Sequence, residues 1–214
     1  MSDIILYDYW RSSASYRVRI ALNLKNIAYE IVPVDLLTRE HLSVEHLERN
    51  PQGFIPALAI DDEMLTQSLA IIDYLDETRT KLPLLPDGTF TRQKVRAMAH
   101  VIAMDIHPVC NLSVAAYAVQ KMGGDDDDRA EWMQHFILKG LQPLEQLIRD
   151  AGEGGFCFGA EPTLADICLI PQLYNAARWG ADFSHLTRIT AIGEKCAEID
   201  AFQKAYPETV KAMS

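Results

Sequence analysis

Hydrophobic and polar positions alternate in short blocks over the first 80 residues of the chain. Short apolar runs are typical of buried strands, whereas apolar residues three or four apart, as at Leu69, Ile72 and Leu75, are typical of amphipathic helices. We therefore predict a compact unit with the element order β-α-β-α-β-β-α. Its elements are strands at Ile4–Tyr7, Tyr29–Val34, Ile55–Ile60 and Met64–Leu65, and helices at Ser15–Lys25, His41–Arg49 and Ser68–Thr78.

A proline-rich segment then interrupts this alternation. Residues 82–88 contain two prolines and one glycine, a composition that is typical of a linker. Beyond the linker, apolar side chains recur at three- and four-residue steps from Val95 to Val109 and predict one long helix. Residues 132–149 repeat the pattern. The sequence therefore predicts an α/β domain at 1–81 and an all-helical domain at 89–214.

Composition and charge restrict the classes of partner. The chain has 214 residues, with 20 Lys and Arg against 30 Asp and Glu, so its formal net charge is −10. This balance argues against a nucleic-acid partner, because neutralising phosphates requires clustered Lys and Arg. No apolar stretch reaches the ~20 residues of a membrane span. The four cysteines lack metal-ligand spacing and indicate reduced thiols in a cytoplasmic protein.

Two acidic motifs are better explained as helix starts than as chemical sites. The run Asp125–Asp128 follows two glycines, and carboxylates are favoured at helix N-termini. Hard-cation sites draw their ligands from a specific loop geometry, so the run alone does not predict a metal. Thr163 and Asp166 have the spacing of a capping box, with Asp in place of Glu or Gln. We therefore predict a helix start at each motif, no metal site and no acid catalysis by Asp166.

Residues 10–22 form the most informative motif, Trp-Arg-Ser-Ser-Ala-Ser-Tyr-Arg-Val-Arg-Ile-Ala-Leu. It is similar to the Ser-Ser-Cys-x-aromatic-Arg-Val-Arg-Ile-Ala-Leu run of the zeta-class glutathione transferases. The pairs Ile55-Pro56 and Gln67-Ser68 match the family's cis-proline and γ-glutamyl-binding positions, and residues 105–108 and 111–114 also resemble this class. The resemblance implies a thioredoxin-like N-terminal domain, an all-helical C-terminal domain and a homodimer.

The resemblance also implies glutathione as the cofactor and a cis–trans isomerisation as the reaction. In the zeta class the substrate is maleylacetoacetate, a dicarboxylate of tyrosine and phenylalanine breakdown, and the product is fumarylacetoacetate. The glutathione thiolate adds to the cis double bond, the resulting single bond rotates, and elimination leaves the trans alkene and free glutathione. Ala14 replaces the family's cysteine, so we expect glutathione to supply the only reacting sulfur.

Ser12 and Ser13 lie between the first predicted strand and the first predicted helix. A serine there acts as an N-cap or donates to a bound thiolate. A free thiol has a pKa near 8.5, and lowering it by two units requires about 2.7 kcal/mol. A charge-assisted hydrogen bond contributes roughly 1.5–3 kcal/mol and a helix terminus about 0.3–1 kcal/mol, so the two together suffice. By the resemblance, Ser12 pairs with the thiolate, and both serines belong to the catalytic and glutathione-binding site.

The remaining glutathione contacts are also implied by the resemblance. The Ile55 backbone pairs with the cysteinyl unit, Gln67 and Ser68 hold the γ-glutamyl carboxylate, and His41 holds the glycine end. Three polar residues of the matching motifs in the helical half also contact glutathione: His107, Asn111 and Ser113.

Four arginines divide between substrate binding and structure. The substrate carboxylates and the developing enolate need positive partners, and Arg11 and Arg178 are the candidates. Arg178 closes a segment similar to the family's Pro-Gln…Arg run. Arg17 and Arg19, on the first helix, are predicted to be structural.

Three alternatives remain beside the isomerase of maleylacetoacetate. The nearest is an isomerase of maleylpyruvate, although those relatives carry extra arginines where this chain has Leu112 and Ser113. A conjugating or dehalogenating transferase is a broader alternative. The third alternative is a glutathione-fold binding module without catalysis. The intact Ser12-Ser13 and Gln67-Ser68 pairs argue against it, whereas Ala14 argues mildly for it.

Overall fold

The computed structural model of the protein describes residues 4–212. Contacts within it divide the chain into two compact units. The first unit consists of Met1–Pro83 together with Glu198–Ser214, and the second of Leu84–Ala197. The described residues from Glu198 on therefore belong to the first unit by their contacts. The predicted domain boundaries at residues 81 and 89 stay a prediction.

A four-stranded sheet with helices forms the first unit. Its elements are β1 (Ile5–Asp8), α1 (Ser13–Leu24), β2 (Glu30–Pro33), a 3₁₀ helix (Glu40–Leu42), α2 (Val44–Arg49), β3 (Ala57–Ile60), β4 (Glu63–Thr66), α3 (Ser68–Thr78), and, after the second unit, α10 (Asp200–Ala205) and α11 (Pro207–Lys211). The strand order is β2-β1-β3-β4, with β1 parallel to β2 and antiparallel to β3, and β3 antiparallel to β4. The predicted thioredoxin-like α/β fold is confirmed.

Helices α1 and α3 pack against each other in the core of this unit. Leu6 and Leu58 pair across β1 and β3, and both are fully buried. Val18 and Leu22 on α1 and Leu75 on α3 are buried at helical spacing, and the two helices pack against each other. Burial of these apolar faces stabilises the helices more than helix propensity does.

Local chemistry explains where the observed elements depart from the predicted ones. Helix α1 begins at Ser13 because Ser12 is its N-cap. The helix predicted over 41–49 is split at Ser43, whose extended backbone (φ −65°, ψ 154°) ends the 3₁₀ turn and whose side chain caps α2. Strand β3 begins at Ala57 because Pro56, which has no N–H, cannot donate to the ladder.

Helices alone form the second unit. They are α4 (Thr89–His100), a π-helical turn (Val101–Ile106), α5 (His107–Val109), α6 (Leu112–Met122), α7 (Asp126–Asp150), α8 (Leu164–Arg178) and α9 (Thr187–Ala197). The predicted all-helical half is confirmed. Helix α6 was not predicted from the sequence, although Asn111 caps its start and Gly123, at φ 71°, ends it.

The π-helical turn interrupts the single long helix that the apolar spacing predicted. It packs against α7 at Gly140, where an added Cβ would lie 2.2 Å from Ile106 Cγ1. Only glycine leaves room for the Ile106 side chain at this position. The turn therefore depends on a residue far along the chain, which local periodicity does not reveal.

Both acidic motifs start helices, as predicted. The Asp125 carboxylate accepts from the backbone N–H groups of Asp127 and Asp128, and the Asp128 carboxylate accepts in return from the N–H of Asp125. Asp166 is fully buried and accepts from the Thr163 N–H at 2.8 Å and the Thr163 hydroxyl at 2.9 Å. It also accepts from the Cys157 N–H at 2.8 Å, so it joins the preceding loop to α8.

No single helix within residues 4–212 is long and apolar enough to cross a membrane. Thr89–Val109 and Leu112–Met122, which meet at a 42° bend, reach the necessary length and apolar character only when taken together. The described range also holds no group of three or more His, Cys, Asp or Glu side chains placed to bind a metal ion.

Candidate functional site

The turn that carries Ser12 is fixed by a buried arginine. Arg19 Nη1 donates to both carboxylate oxygens of Asp8, at 2.8 and 2.7 Å, and Arg19 Nη2 donates to the Trp10 carbonyl at 2.8 Å. Both charged side chains are nearly inaccessible, at 0% for Arg19 and 1% for Asp8. The end of β1 and the start of α1 are thus held together, in line with the structural role predicted for Arg19.

Ser12 is the N-cap of α1. Its side-chain oxygen accepts from the Ser15 N–H at 3.3 Å, and its own N–H donates to the Tyr9 carbonyl at 2.8 Å. Capping uses a lone pair of the hydroxyl and not its proton, so the cap and a donor to a thiolate are compatible roles for one group. Ser13 is the first residue of the helix, and both serines are half-buried.

Ile55 lies on the same side of the unit as this turn. Tyr9 and Ile55 are buried in one apolar cluster with Val34, so the residue that accepts from the Ser12 N–H also packs with Ile55. The Ile55–Pro56 peptide bond is cis, as the resemblance implied. The structure therefore places the predicted thiolate partner near the predicted cysteinyl-binding backbone.

The N-terminus of α3 gathers three polar groups. Gln67, its N-cap, has φ 67°, in the left-handed region that favours glycine. Ser68 is the first helical residue and is 7% exposed. Arg17 on α1, 2% exposed, donates from Nη1 to Ser68 Oγ at 3.3 Å. A buried guanidinium and a helix N-terminus both favour an anion, so this corner is suited to a carboxylate.

The loop at residues 50–54 lies next to two residues that are predicted to bind glutathione, Ile55 and Gln67. His46 Nε2 and Asn50 Nδ2 each lie 2.9 Å from the Phe54 carbonyl, directly before Ile55. Gln67 Nε2 donates to Gln52 Oε1 at 2.7 Å.

Gly53 brings the same loop against the 3₁₀ helix that contains His41. At Gly53, with φ 64°, an added Cβ would lie 2.8 Å from Leu42 Cδ2 and 3.3 Å from the His41 carbonyl oxygen. Burial lowers the pKa of His41, and the charges of His46 and Arg39 act in the same direction. At neutral pH His41 therefore offers a neutral ring with one N–H, rather than a cation. Its Nδ1 is buried and has no hydrogen-bond partner within the described range.

Arg11 follows two aromatic residues in the turn before α1. Its guanidinium carbon lies 5.2 Å from the centre of the Trp10 ring and 6.0 Å from that of Tyr9. These cation–π contacts hold the Arg11 guanidinium against the two aromatic rings.

The second unit carries the other predicted contacts. His107 is half-buried and opens α5. Asn111 caps α6 through its Oδ1, which accepts from the Ser113 N–H at 3.0 Å and the Ser113 hydroxyl at 2.8 Å. Asn111 thus keeps its amide N–H groups for another acceptor, whereas Ser113 has committed its hydroxyl proton.

Arg178 is the exposed last residue of α8. Its guanidinium carbon lies 4.8 Å from the centre of the Trp179 ring, and that of Arg129 lies 5.5 Å from the same ring. Helix α7 joins this end of α8 to the end of α5, because Gln134 Nε2 donates to the Trp179 carbonyl and Trp132 Nε1 to that of Val109.

All four cysteines are buried free thiols. Burial raises the pKa of Cys110 to about 12 and also raises the pKa of Cys196. Burial raises the pKa of Cys157 as well, with the Asp166 charge adding to the effect. These three thiols stay protonated at neutral pH, so none has the ionised form that a nucleophile requires.

Sequence reasoning missed two parts of this arrangement. Arg17 was predicted to be structural, and its buried donation to Ser68 is a contact that the sequence did not indicate. His46 and Asn50 were not singled out, yet both support the carbonyl before Ile55. The only sequence signal for these roles is the presence of polar residues at positions that turned out to be buried, which no spacing rule identifies.

The donors of the first unit fit glutathione, which has two carboxylates, an ammonium group and a thiol. A hydroxyl at one helix N-terminus suits a thiolate, and the Arg17–Ser68 corner suits a carboxylate. The buried Nδ1 of His41 adds a ring nitrogen that no described group satisfies.

Comparison with known proteins agrees with this geometry. The family model described as glutathione S-transferase, N-terminal domain, matches residues 2–77, and that described as glutathione S-transferase, C-terminal domain, matches residues 126–208. The maleylacetoacetate isomerase of Rhizobium meliloti (strain 1021) is 55% identical over 210 residues, covering 98% of this chain and 99% of that relative.

Two solved structures are similar along nearly the whole chain. The holo structure of a maleylpyruvate isomerase, described as a bacterial zeta-class glutathione S-transferase, has a TM-score of 0.93 at 39% identity and covers 96% of this chain and 97% of its own. A maleylacetoacetate isomerase from Methylobacterium extorquens AM1, with bound malonate and glutathione, has a TM-score of 0.91 at 40% identity, with the same two coverages of 96% and 97%. The resemblance drawn from the motifs is confirmed, and the chain belongs to the glutathione S-transferase family.

Proposed function

We propose that this protein is a glutathione-dependent isomerase that converts maleylacetoacetate to fumarylacetoacetate in tyrosine and phenylalanine breakdown. The observation that carries the proposal is the cap of α1: Ser12 accepts from the Ser15 N–H and keeps its hydroxyl proton for a thiolate. A relative that is 55% identical bears the name of this isomerase, which supports the choice of substrate.

Ser12 stabilises the reacting sulfur as an anion. When bound, glutathione supplies a thiolate that adds to the cis double bond, permits rotation and leaves again from the trans product. The Ser12 hydroxyl donates to that thiolate, and the N-terminus of α1 adds its positive end. The protein's own thiols do not compete, because Ala14 occupies the family's cysteine position and all four cysteines are buried.

The rest of glutathione is held along the edge of the first unit. Ser68 and the N–H groups at the start of α3 bind the γ-glutamyl carboxylate, with Gln67 beside it and the Arg17 charge behind. The Ile55 backbone binds the cysteinyl unit, and His41 donates one N–H to the glycine carboxylate. The loop at residues 50–54 supports the positions of Ile55 and Gln67, because Asn50 Nδ2 donates to the Phe54 carbonyl and Gln67 Nε2 donates to Gln52 Oε1.

The dicarboxylate substrate is held by arginines. Arg11, stacked on Trp10, and Arg178, stacked on Trp179, bind its carboxylates and stabilise the enolate that forms during addition. We assign His107, Asn111 and Ser113, in the helical unit, to glutathione binding, as the resemblance implies. The amide N–H groups of Asn111 are suited to this, since its Oδ1 is used in the cap of α6.

Maleylpyruvate is the second candidate substrate. The observation in its favour is the 0.93 TM-score against a maleylpyruvate isomerase. Positions 112 and 113 are Leu and Ser instead of the arginines of such relatives, which favours maleylacetoacetate.

We further propose that the enzyme is a cytoplasmic homodimer. Large apolar side chains exposed on the helical unit, including Phe90 and Tyr117, at 79% and 63%, support a subunit interface. Buried free cysteines support a reducing compartment. Sedimentation equilibrium is expected to give about twice the 24.1 kDa monomer mass, and a concentration-independent monomer would contradict the dimer. Cell fractionation checks the compartment.

Substrate identity is tested by presenting maleylacetoacetate, maleylpyruvate and a haloacid to the enzyme side by side. We expect glutathione-dependent turnover of maleylacetoacetate at the highest kcat/KM, because Leu112 and Ser113 stand where relatives that isomerise maleylpyruvate carry arginines. The assay follows ultraviolet absorbance with and without glutathione. Glutathione binding without turnover of any of the three would instead favour the binding-module alternative.

Replacing Ser12 by alanine should lower kcat by about 10- to 100-fold, the loss of one charge-assisted hydrogen bond. The pKa of bound glutathione, read from thiolate absorbance, should return toward the free value near 8.5. Ser13→Ala is the matched control and should change both quantities much less. Full activity in Ser12→Ala would remove Ser12 from the mechanism.

Replacing Arg178 by alanine should raise KM for the dicarboxylate about tenfold and leave KM for glutathione nearly unchanged, because one carboxylate loses a charged partner. Arg129→Ala is the matched control, since Arg129 contacts the same Trp179 ring. Parallel changes in both variants would assign the effect to Trp179 packing and not to substrate binding.

A further inference from the structure

We propose that His46 is a positioning residue for glutathione, acting through the Phe54 carbonyl to hold the loop at residues 50–54 in its binding form. The inference deepens the proposed function and rests on glutathione binding at the first unit. His46 lies on α2 and belongs to none of the motifs that suggested the site.

The Phe54 carbonyl accepts from two buried side chains. His46 Nε2 and Asn50 Nδ2 lie 2.9 Å from it, and the two residues are 1% and 2% exposed. A carbonyl can only accept, so His46 carries its proton on Nε2, and its buried Nδ1 has no hydrogen-bond partner within the described range. The bond to the Phe54 carbonyl is thus the hydrogen bond that the His46 ring makes within the described residues.

Asn50 also shapes the loop from within. Its Oδ1 accepts from the Gln52 N–H at 3.1 Å and its carbonyl accepts from the Gly53 N–H at 2.9 Å. These bonds fold the loop back on itself, so that both ends of it are tied to the end of α2. Asn50 therefore fixes the shape of the loop, and His46 adds a second anchor from one turn earlier.

The loop touches three of the proposed glutathione contacts, which are Ile55, Gln67 and His41. Phe54 directly precedes Ile55, and Gln52 accepts from Gln67 at 2.7 Å. Gly53 packs against the 3₁₀ helix, where an added Cβ would lie 2.8 Å from Leu42 Cδ2 and 3.3 Å from the His41 carbonyl oxygen, and its φ of 64° disfavours other residues. A shift of the loop would consequently move the cysteinyl, γ-glutamyl and glycine contacts together.

The test compares glutathione affinity, measured by calorimetry, in His46→Leu and His46→Gln. Leucine removes the donor and keeps the apolar volume, whereas the glutamine amide reaches the position of Nε2. We expect His46→Leu to weaken glutathione binding about tenfold, the effect of one ordinary hydrogen bond, and His46→Gln to restore it to within about threefold. At saturating glutathione, kcat should stay within about twofold of the original, because Ser12 is untouched.

Ser43→Ala is the matched control. It removes the cap of α2, where Ser43 Oγ accepts from the His46 N–H at 3.2 Å, and leaves the Phe54 carbonyl bonded. We expect a lower Tm without a change in glutathione affinity. Equal weakening by Ser43→Ala and His46→Leu would overturn the proposal, since general loosening of α2 would explain both. If His46→Leu does not fold, His46→Asn, too short to reach, takes its place beside His46→Gln.

Coupling to Gln67 gives an independent readout. The loss of affinity caused by Gln67→Ala should be several-fold smaller in the His46→Leu background, because the loop no longer aligns the residues it joins. Additive losses would overturn the proposal. Calorimetry detects binding without turnover, so failure of the isomerase assay and failure of this inference are separate results.

Discussion

One buried ion pair holds the part of the molecule on which the chemistry depends. Asp8 ends β1, and Arg19, on the second turn of α1, donates to its carboxylate, to the Trp10 carbonyl and to the Ala205 carbonyl of α10. Removing one partner from such a pair costs about 3–5 kcal/mol, because the remaining charge is left buried. The geometry of the turn that presents Ser12 is therefore tied to the stability of the whole first unit.

The charge of the molecule has opposite signs at two scales. Globally the chain carries −10, which suits neither nucleic acid nor anionic surfaces. Locally, two helix N-termini, the buried Arg17 guanidinium and the stacked Arg11 are suited to anions. Short-range donors decide what binds, since the distant surface charges are screened over about 10 Å at ordinary ionic strength. The net charge of the chain thus restricted the class of partner but did not predict whether the ligand is an anion or a cation.

Sequence reasoning succeeded where a cause is local and failed where it is distant. Helix α3 has its predicted bounds, and the Thr163–Asp166 box caps α8, because hydrophobic spacing and capping act within one or two turns. The π-helical turn depends on Gly140 across the helical unit. The roles of Arg17 and His46 depend on partners that become neighbours only when the sheet has formed. Motif resemblance singled out Ser12 and Ser68 as site residues, which stays a prediction, and it did not indicate the Arg17 side chain that donates to Ser68.

The absence of a usable protein thiol clarifies what this site is for. A cysteine at position 14 would offer a second sulfur beside the cofactor, whereas Ala14 removes it and the remaining thiols are buried. The protein then needs only to make an anion stable at one place. A capping serine is suited to that need, because its oxygen accepts from a helix N–H and its hydroxyl proton is left for a donor bond. In the proposed mechanism, stability and chemistry therefore draw on different atoms of the same hydroxyl.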